Sequence, residues 1–165
     1  MTSLARGYTV LLAVIADSHD NLPLLKEAVT LALQRRAERI VHCGDIVAPF
    51  SARILIESGL PVLAVFGNND GERQGLRKII QNISEPPLLV NLSGKSFIIY
   101  HEPPQTFPEN VDFILYGHTH KVYQNTLGKT LVLNPGECGG WLFNSPTIAF
   151  LDTLTLKTEI VTIPL

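Results

Sequence analysis

The chain has 165 residues, 45% of them apolar and 17% charged, with 13 Lys+Arg against 15 Asp+Glu and a formal net charge of −2. That composition excludes a disordered chain, which combines low hydrophobicity with high net charge, and a nucleic-acid binder driven by bulk positive charge. Cys43 and Cys138 are too few for a disulfide framework and fit a reducing cytoplasm; the length fits one domain over 1–165.

Val10–Ala16 is a continuous apolar run of strand length. Asp17-Ser18-His19-Asp20 follows where a signal peptide would place a small-residue cleavage site, and the run is far short of the roughly 20 residues that cross a bilayer. Pro23 sits in the first turn of an expected helix whose Leu22, Leu25, Ala28, Val29, Ala32 and Leu33 recur at helical spacing. Arg39–Cys43 reads as a second strand. Pro49 opens a second helix with Phe50, Ile54 and Leu55 on its apolar face and Gly59 as its stop. Pro61–Phe66 is a third strand and Glu72–Gln81 a third helix, so the first half alternates β and α, the pattern of a parallel sheet with helices packed on it.

The second half changes character. Leu88–Leu92 and Ser96–Tyr100 flank a short loop at Gly94, Val122–Thr126 and Thr130–Leu133 flank another at Gly128, and both pairs read as hairpins. Phe113–Tyr116 is a lone strand, and Thr147–Leu151 with Leu156–Ile163 forms a third hairpin around Asp152-Thr153. The expectation is a mixed-sheet α/β sandwich.

The chemistry collects at strand ends: Asp17-Ser18-His19, Gly44-Asp45, Gly67-Asn68-Asn69-Asp70, His101 and Gly117-His118-Thr119-His120. In a parallel α/β sheet these ends converge, and residues i and i+2 of an extended loop reach one ion together. Taken singly, most have an ordinary structural use. Asp17 and Asp70 suit helix caps, Asp45 a turn, Asn68 and Asn69 left-handed positions, and His101 a hydrogen-bonded rim. Two imidazoles at one strand end have little such use. The ordered set, each member after an apolar strand, points to carboxylate, imidazole and amide ligation of a first-row divalent ion or a pair of them.

In that order the blocks resemble the calcineurin-like metallophosphoesterase superfamily, over about Val10–Gly136 and including the Asn134-Pro135-Gly136 turn. Length and the Gly-Asn-Asn-Asp form resemble its small, cap-less prokaryotic phosphodiesterase branch, to which the eukaryotic retromer subunit is related. The resemblance implies a four-layer αββα sandwich with two mixed β-sheets and one metallophosphoesterase domain. It assigns Asp17, His19 and His120 to one metal, Asn68, His101 and His118 to the other, and Asp45 to both. Asp45, Asn68, Asn69 and Asp70 are the residues it implies for catalysis, by attack of a metal-bridging hydroxide on phosphorus. Mn²⁺ is the first expectation for the two ions, with Fe, Ni, Co or Zn as alternatives. The expected activity is hydrolysis of small phosphodiesters, nucleotides among them, with a phosphomonoesterase or a non-catalytic protein-binding scaffold as the other readings. Neither stable nucleic-acid binding nor a membrane is expected, and the low charged fraction leaves room for a homo-oligomer.

The chain departs from the family pattern twice. Asn69 stands where many superfamily phosphatases carry a histidine; an amide donates a hydrogen bond but supplies no proton, which favours good leaving groups. His101 is followed by Glu102-Pro103-Pro104 and only about ten residues precede Asp112, so a helix there is not expected and one wall of the site should be short. Glu102 reads as a solvated rim charge, with an extra ligand or acid as alternatives. Arg35, Arg36 and Arg39 read as a solvated face, and Arg73, Arg77 and Lys78, just past the third block, read first as solvated charge with drawing in an anionic substrate as the alternative. Trp141 and Phe143 read as core packing or an interface ahead of a base-stacking wall, and His42 as a core residue or a support for the ligands.

Overall fold

The computed structural model describes residues 10–164. Strands β1 (Leu11–Ile15), β2 (Arg39–His42), β3 (Val62–Val65) and β4 (Ile83–Ser84) run parallel, joined by helices α1 (Leu22–Gln34), α2 (Pro49–Glu57) and α3 (Arg73–Ile79). The remaining strands are β5 (Leu88–Leu92), β6 (Lys95–Ile99), β7 (Phe113–Leu115), β8 (Val122–Leu127), β9 (Thr130–Pro135), β10 (Thr147–Asp152) and β11 (Thr158–Thr162). The order in one sheet is β11-β10-β1-β2-β3-β4 and in the other β5-β6-β7-β9-β8, and both mix parallel and antiparallel pairs. This is the expected pair of mixed sheets. The structure adds β4, two residues that carry no periodicity of their own.

Alternation along β1 explains the layers. Ala13 and Ile15 face Leu25, Ala28, Leu55 and Leu76 of the three helices. Leu12, Val14 and Ala16 face Phe97, Phe113, Leu115 and Leu133 of the second sheet. A strand covered on both sides cannot alternate with polar residues, which is why β1 reads as an unbroken apolar run. The outer face of the second sheet is covered without a helix: Tyr100, Phe107 and Val111 pack on Ile114, Tyr116 and Val132. The Pro103-Pro104 segment thus supplies the fourth layer as irregular chain, as its prolines imply. Among the described residues, no helix is long and apolar enough to cross a membrane.

Some boundaries differ from the sequence reading, each for a local reason. α3 stops at Ile79 because Ile80 turns extended (φ −99, ψ 102). Leu156 is left-handed (φ 59) and cannot begin a strand, so β11 starts at Thr158 after a turn capped by the Asp152 carboxylate. On α2 the buried stripe is Ser51, Ala52 and Leu55, leaving Phe50 half exposed.

Phe97 and Phe113, register partners on β6 and β7 of the second sheet, stack with ring centroids 4.5 Å apart and fill the core between the two sheets. Phe113→Ala removes a fully buried ring between two sheets that cannot close over the gap. A loss of about 3–5 kcal/mol is expected, read as a lower urea midpoint at unchanged slope.

Candidate metal centre

The carboxyl ends of β1, β2, β3, β6 and β7 meet at one edge of the sandwich, and the polar loops that follow them interlock there. Asp17 N donates to Gly44 O, His19 N to Asp45 O, and Gly117 N to His101 O, so each loop is fastened to its neighbour by main-chain bonds. The chain bends sharply to do this. Asp17, His19, Asp20, Asp45, His118 and His120 all have φ between 42° and 64°, left-handed values that non-glycine residues adopt at a cost. Gly44 (φ 97) completes the turn, and a Cβ there would strike the His101 ring and the Gly67 main chain.

All seven expected ligands come together. On one side, His19 Nε2 lies 3.3 Å from His120 Nε2, 3.7 Å from Asp17 Oδ1 and 3.4 Å from Asp45 Oδ2. On the other, Asn68 Oδ1 lies 2.7 Å from His101 Nε2 and 3.0 Å from His118 Nδ1, and His101 Nε2 is 3.4 Å from Asp45 Oδ2. One oxygen of Asp45 therefore stands between two half-sets of donors. The donor atoms of Asp17, His19 and His120 lie within 4.8 Å of one another, as do those of Asp17, Asp45 and His101.

Asn69 and Asp70 are placed differently from the ligands. Asn69 grips Asp45, its N–H donating to Oδ1 at 2.8 Å and its amide Nδ2 to Oδ2 at 2.9 Å. Asp70 is buried and faces away from the donor cluster; its carboxylate accepts from the N–H groups of Asp45, Gly67 and Val47, tying the second loop to the third. Asp20 does similar work, accepting from Ala48 N and Ser51 Oγ at the start of α2. The cap of α1 is Asn21, so Asp17 is free to face the cluster. Asn134 accepts from Gly136 N and donates to Gly117 O, bracing the loop that carries His118 and His120.

The electrostatics follow from this crowding. Burial alone would raise the Asp45 pKa, but His101 and the two Asn69 donors outweigh it and hold the carboxyl below its ordinary range. Burial would lower His19 and His101, yet Asp17 and Asp45 beside His19, and Asp45 beside His101, raise both. His101 Nδ1 lies 2.9 Å from Cys43 O, a contact that needs a proton on Nδ1 and so leaves the Nε2 lone pair for the cluster. Asp17 Oδ1 is buried without a hydrogen-bond partner. Imidazole nitrogens 3.3 Å apart are reconciled by a proton between them or by a cation, and the orphaned Asp17 oxygen has no proton donor. The donor set fits divalent ions.

Glu137 was not among the residues the sequence singled out. It is 1% exposed, and its Oε1 lies 3.1 Å from His120 Nδ1, at ion-pair distance but off the line of a hydrogen bond. The available signal was position alone: a carboxylate directly after Asn134-Pro135-Gly136, at the same end as the other loops. Arg73 and Arg77 both pair with Glu85 and lie over the Phe66 ring, so their charge is partly spent beside the site. Glu102 is exposed, and with Phe66, Tyr100 and Pro86-Pro87 it lines an open cleft of about 390 Å³ beside Asn68 and His101.

The family model of the calcineurin-like phosphoesterase superfamily domain matches residues 10–156. A phosphodiesterase of Methanocaldococcus jannaschii is 33% identical over 153 residues, covering 86% of this chain and 92% of the relative. A solved archaeal phosphodiesterase superposes with a TM-score of 0.85 at 30% identity, covering 93% of this chain and 99% of that one. The E. coli phosphoesterase Yfce shares the fold, with a TM-score of 0.74 at 22% identity, covering 94% and 100%.

Beneath the cluster, His42 is fully buried, with Nδ1 accepting from Gly44 N and Nε2 3.0 Å from Ser18 Oγ. It supports the ligand loops and holds no place among the donors. Burial lowers its pKa from 6.5 to about 3. The unfolded chain therefore takes up the proton first, and stability falls as pH drops from about 6.5 toward 3, by about 1.4 kcal/mol per unit. His42→Gln stays polar but cannot protonate. Urea titrations of metal-stripped protein between roughly pH 7 and pH 4 should show the wild type losing stability faster than the variant; equal slopes would contradict this account.

Proposed function

We propose a specific chemistry for this chain, which belongs to the calcineurin-like phosphoesterase superfamily: two-metal hydrolysis of small phosphodiesters with good leaving groups. The observation that carries the proposal is Asp45 Oδ2, 3.4 Å from His19 Nε2 and 3.4 Å from His101 Nε2, a single anionic oxygen shared by two half-sets of donors. Asp17, His19 and His120 hold one ion, Asn68, His101 and His118 the other, and Asp45 both. Mixed oxygen and nitrogen ligation suits Mn²⁺, and Fe, Ni, Co and Zn share those donors. Bound ions supply Lewis acidity there, offsetting charge on phosphoryl oxygens and acidifying a water.

The protein's own part is to hold donors in place and to choose the substrate. Asn69 fixes the Asp45 carboxylate through both its N–H and its amide. It has no proton to give at neutral pH, so the leaving oxygen departs as an anion and good leaving groups are favoured. That feature ranks a phosphodiesterase with aryl or similar leaving groups above a phosphomonoesterase. The scaffold reading needs no buried, unpartnered Asp17 Oδ1 facing two imidazoles, a costly arrangement without an ion. Two buried free cysteines suit the cytoplasm, and residues 1–165 are read as one metallophosphoesterase domain with neither nucleic acid nor membrane as partner.

The test is hydrolysis of paired aryl phosphodiester and phosphomonoester substrates after metal stripping and return of Mn²⁺, with preference for the diester expected. Asp45→Ala should abolish both metal loading, read by elemental analysis, and turnover; a metal-free Asp45→Ala protein that still hydrolyses the diester would end the proposal. Asn69→His should raise turnover of alkyl diesters more than of aryl diesters. A uniform effect would show that Asn69 matters through Asp45 alone.

A further inference from the structure

The loop between β9 and β10 is built in an unusual way. It exposes Trp141 (64%), Leu142 (65%) and Phe143 (51%), so the core packing that the sequence offered for Trp141 and Phe143 does not hold, while an interface or a stacking wall suits an exposed position. Exposed apolar side chains of this size are ordinarily on mobile chain. Here the segment is fixed by main-chain bonds from Cys138 N to Ala16 O and from Gly139 N to Asp17 O. The buried Glu137 carboxylate accepts from Trp141 N at 2.8 Å and Leu142 N at 3.0 Å. The indole is fixed too: Trp141 Nε1 donates to His19 O at 3.1 Å. Close approach requires Gly139, where a Cβ would press on Ser18 O and the Trp141 ring. Lys121 holds its ammonium 5.5 Å from the Phe143 ring centroid.

From this arrangement we infer that Trp141, on the same loop as Phe143, is a stacking platform for a planar aromatic group of the substrate, either an aryl ring esterified to the phosphate or the base of a nucleoside esterified through its sugar. The platform rests on the phosphoester reading above and adds the substrate's second feature. Three observations favour a small aromatic occupant. The indole is fastened to the backbone of His19, whose ring belongs to the donor cluster, so a group stacked on Trp141 is within reach of a phosphate at that cluster. The face is pre-ordered, so stacking costs little conformational entropy. The open cleft beside Asn68 and His101 lies at the other half-set of donors, leaving room for the second arm of a diester. Glu137 joins the two functions, since the oxygen that faces His120 Nδ1 is also the one that holds Trp141 N.

Trp141 is the sole tryptophan, so its emission reports directly on the platform. The test titrates metal-loaded protein with phenylphosphonate, adenosine 5′-monophosphate and methylphosphonate, following tryptophan emission and, by calorimetry, affinity. Phenylphosphonate or the nucleotide should perturb the emission and bind roughly 10-fold more tightly than methylphosphonate, the size expected of one aromatic stack, and the tighter of the two identifies the source of the ring. Trp141→Ala should remove that preference, read as the ratio of phenylphosphonate or nucleotide affinity to methylphosphonate affinity, while Trp141→Phe should restore most of it. Equal affinities in the wild type, or a preference that survives Trp141→Ala, would overturn the platform and leave the phosphoester reading standing. Failure of all three anions to bind would overturn both. Emission that depends on protein concentration and not on ligand would assign the loop to a contact between copies and overturn the platform alone.

Discussion

The structure depends on one electrostatic problem: how to keep a carboxylate oxygen of Asp45 between His19 and His101, with Asp17, Asn68, His118 and His120 pressed around it. None of these groups satisfies another well without a proton or a cation. Their meeting is imposed by the chain, through main-chain bonds between loops and a run of left-handed residues at Asp17, His19, Asp45, His118 and His120. Two apolar layers, one under the helices and one between the sheets, provide the burial that offsets this strain. The site is thus held by the sandwich and is costly to it until positive charge arrives.

The supporting residues divide this work. Asp70 and Asp20 use their carboxylates on backbone N–H groups, joining loops that would otherwise drift apart. His42 and Cys43 O sit behind the ligands and settle where protons reside on Ser18 and His101. Glu137 stands behind His120 and organises the exposed aromatic loop at the same time, so metal ligation and the proposed aromatic contact share one buried charge.

The convergence of Asp17, His19, Asp45, Asn68, His101, His118 and His120 was legible because each follows an apolar strand, and the ends of parallel strands must converge. The layers were legible for a similar reason, since β1 is apolar on both faces. Other features leave no such trace. β4 is two residues long, below any period, and Leu156 shows its left-handed backbone only in the turn it closes. Glu137 is a single acidic residue beside a recognisable turn, and burial was what made it informative. Trp141 misleads for the opposite reason: a large apolar side chain is expected inside, and only its bonds to His19 and Glu137 explain why it stays outside. Asn69 was legible as a missing proton donor, but its grip on Asp45 depends on loop geometry.

The central claim concerns two ions sharing one oxygen, and diffraction sees that directly. A crystal of metal-stripped protein soaked in Mn²⁺ and measured at a wavelength where manganese scatters anomalously should show two peaks. One should lie among Asp17, His19 and His120, the other among Asn68, His101 and His118, both in contact with Asp45 Oδ2. A single peak, or peaks that leave Asp45 untouched, would contradict the account.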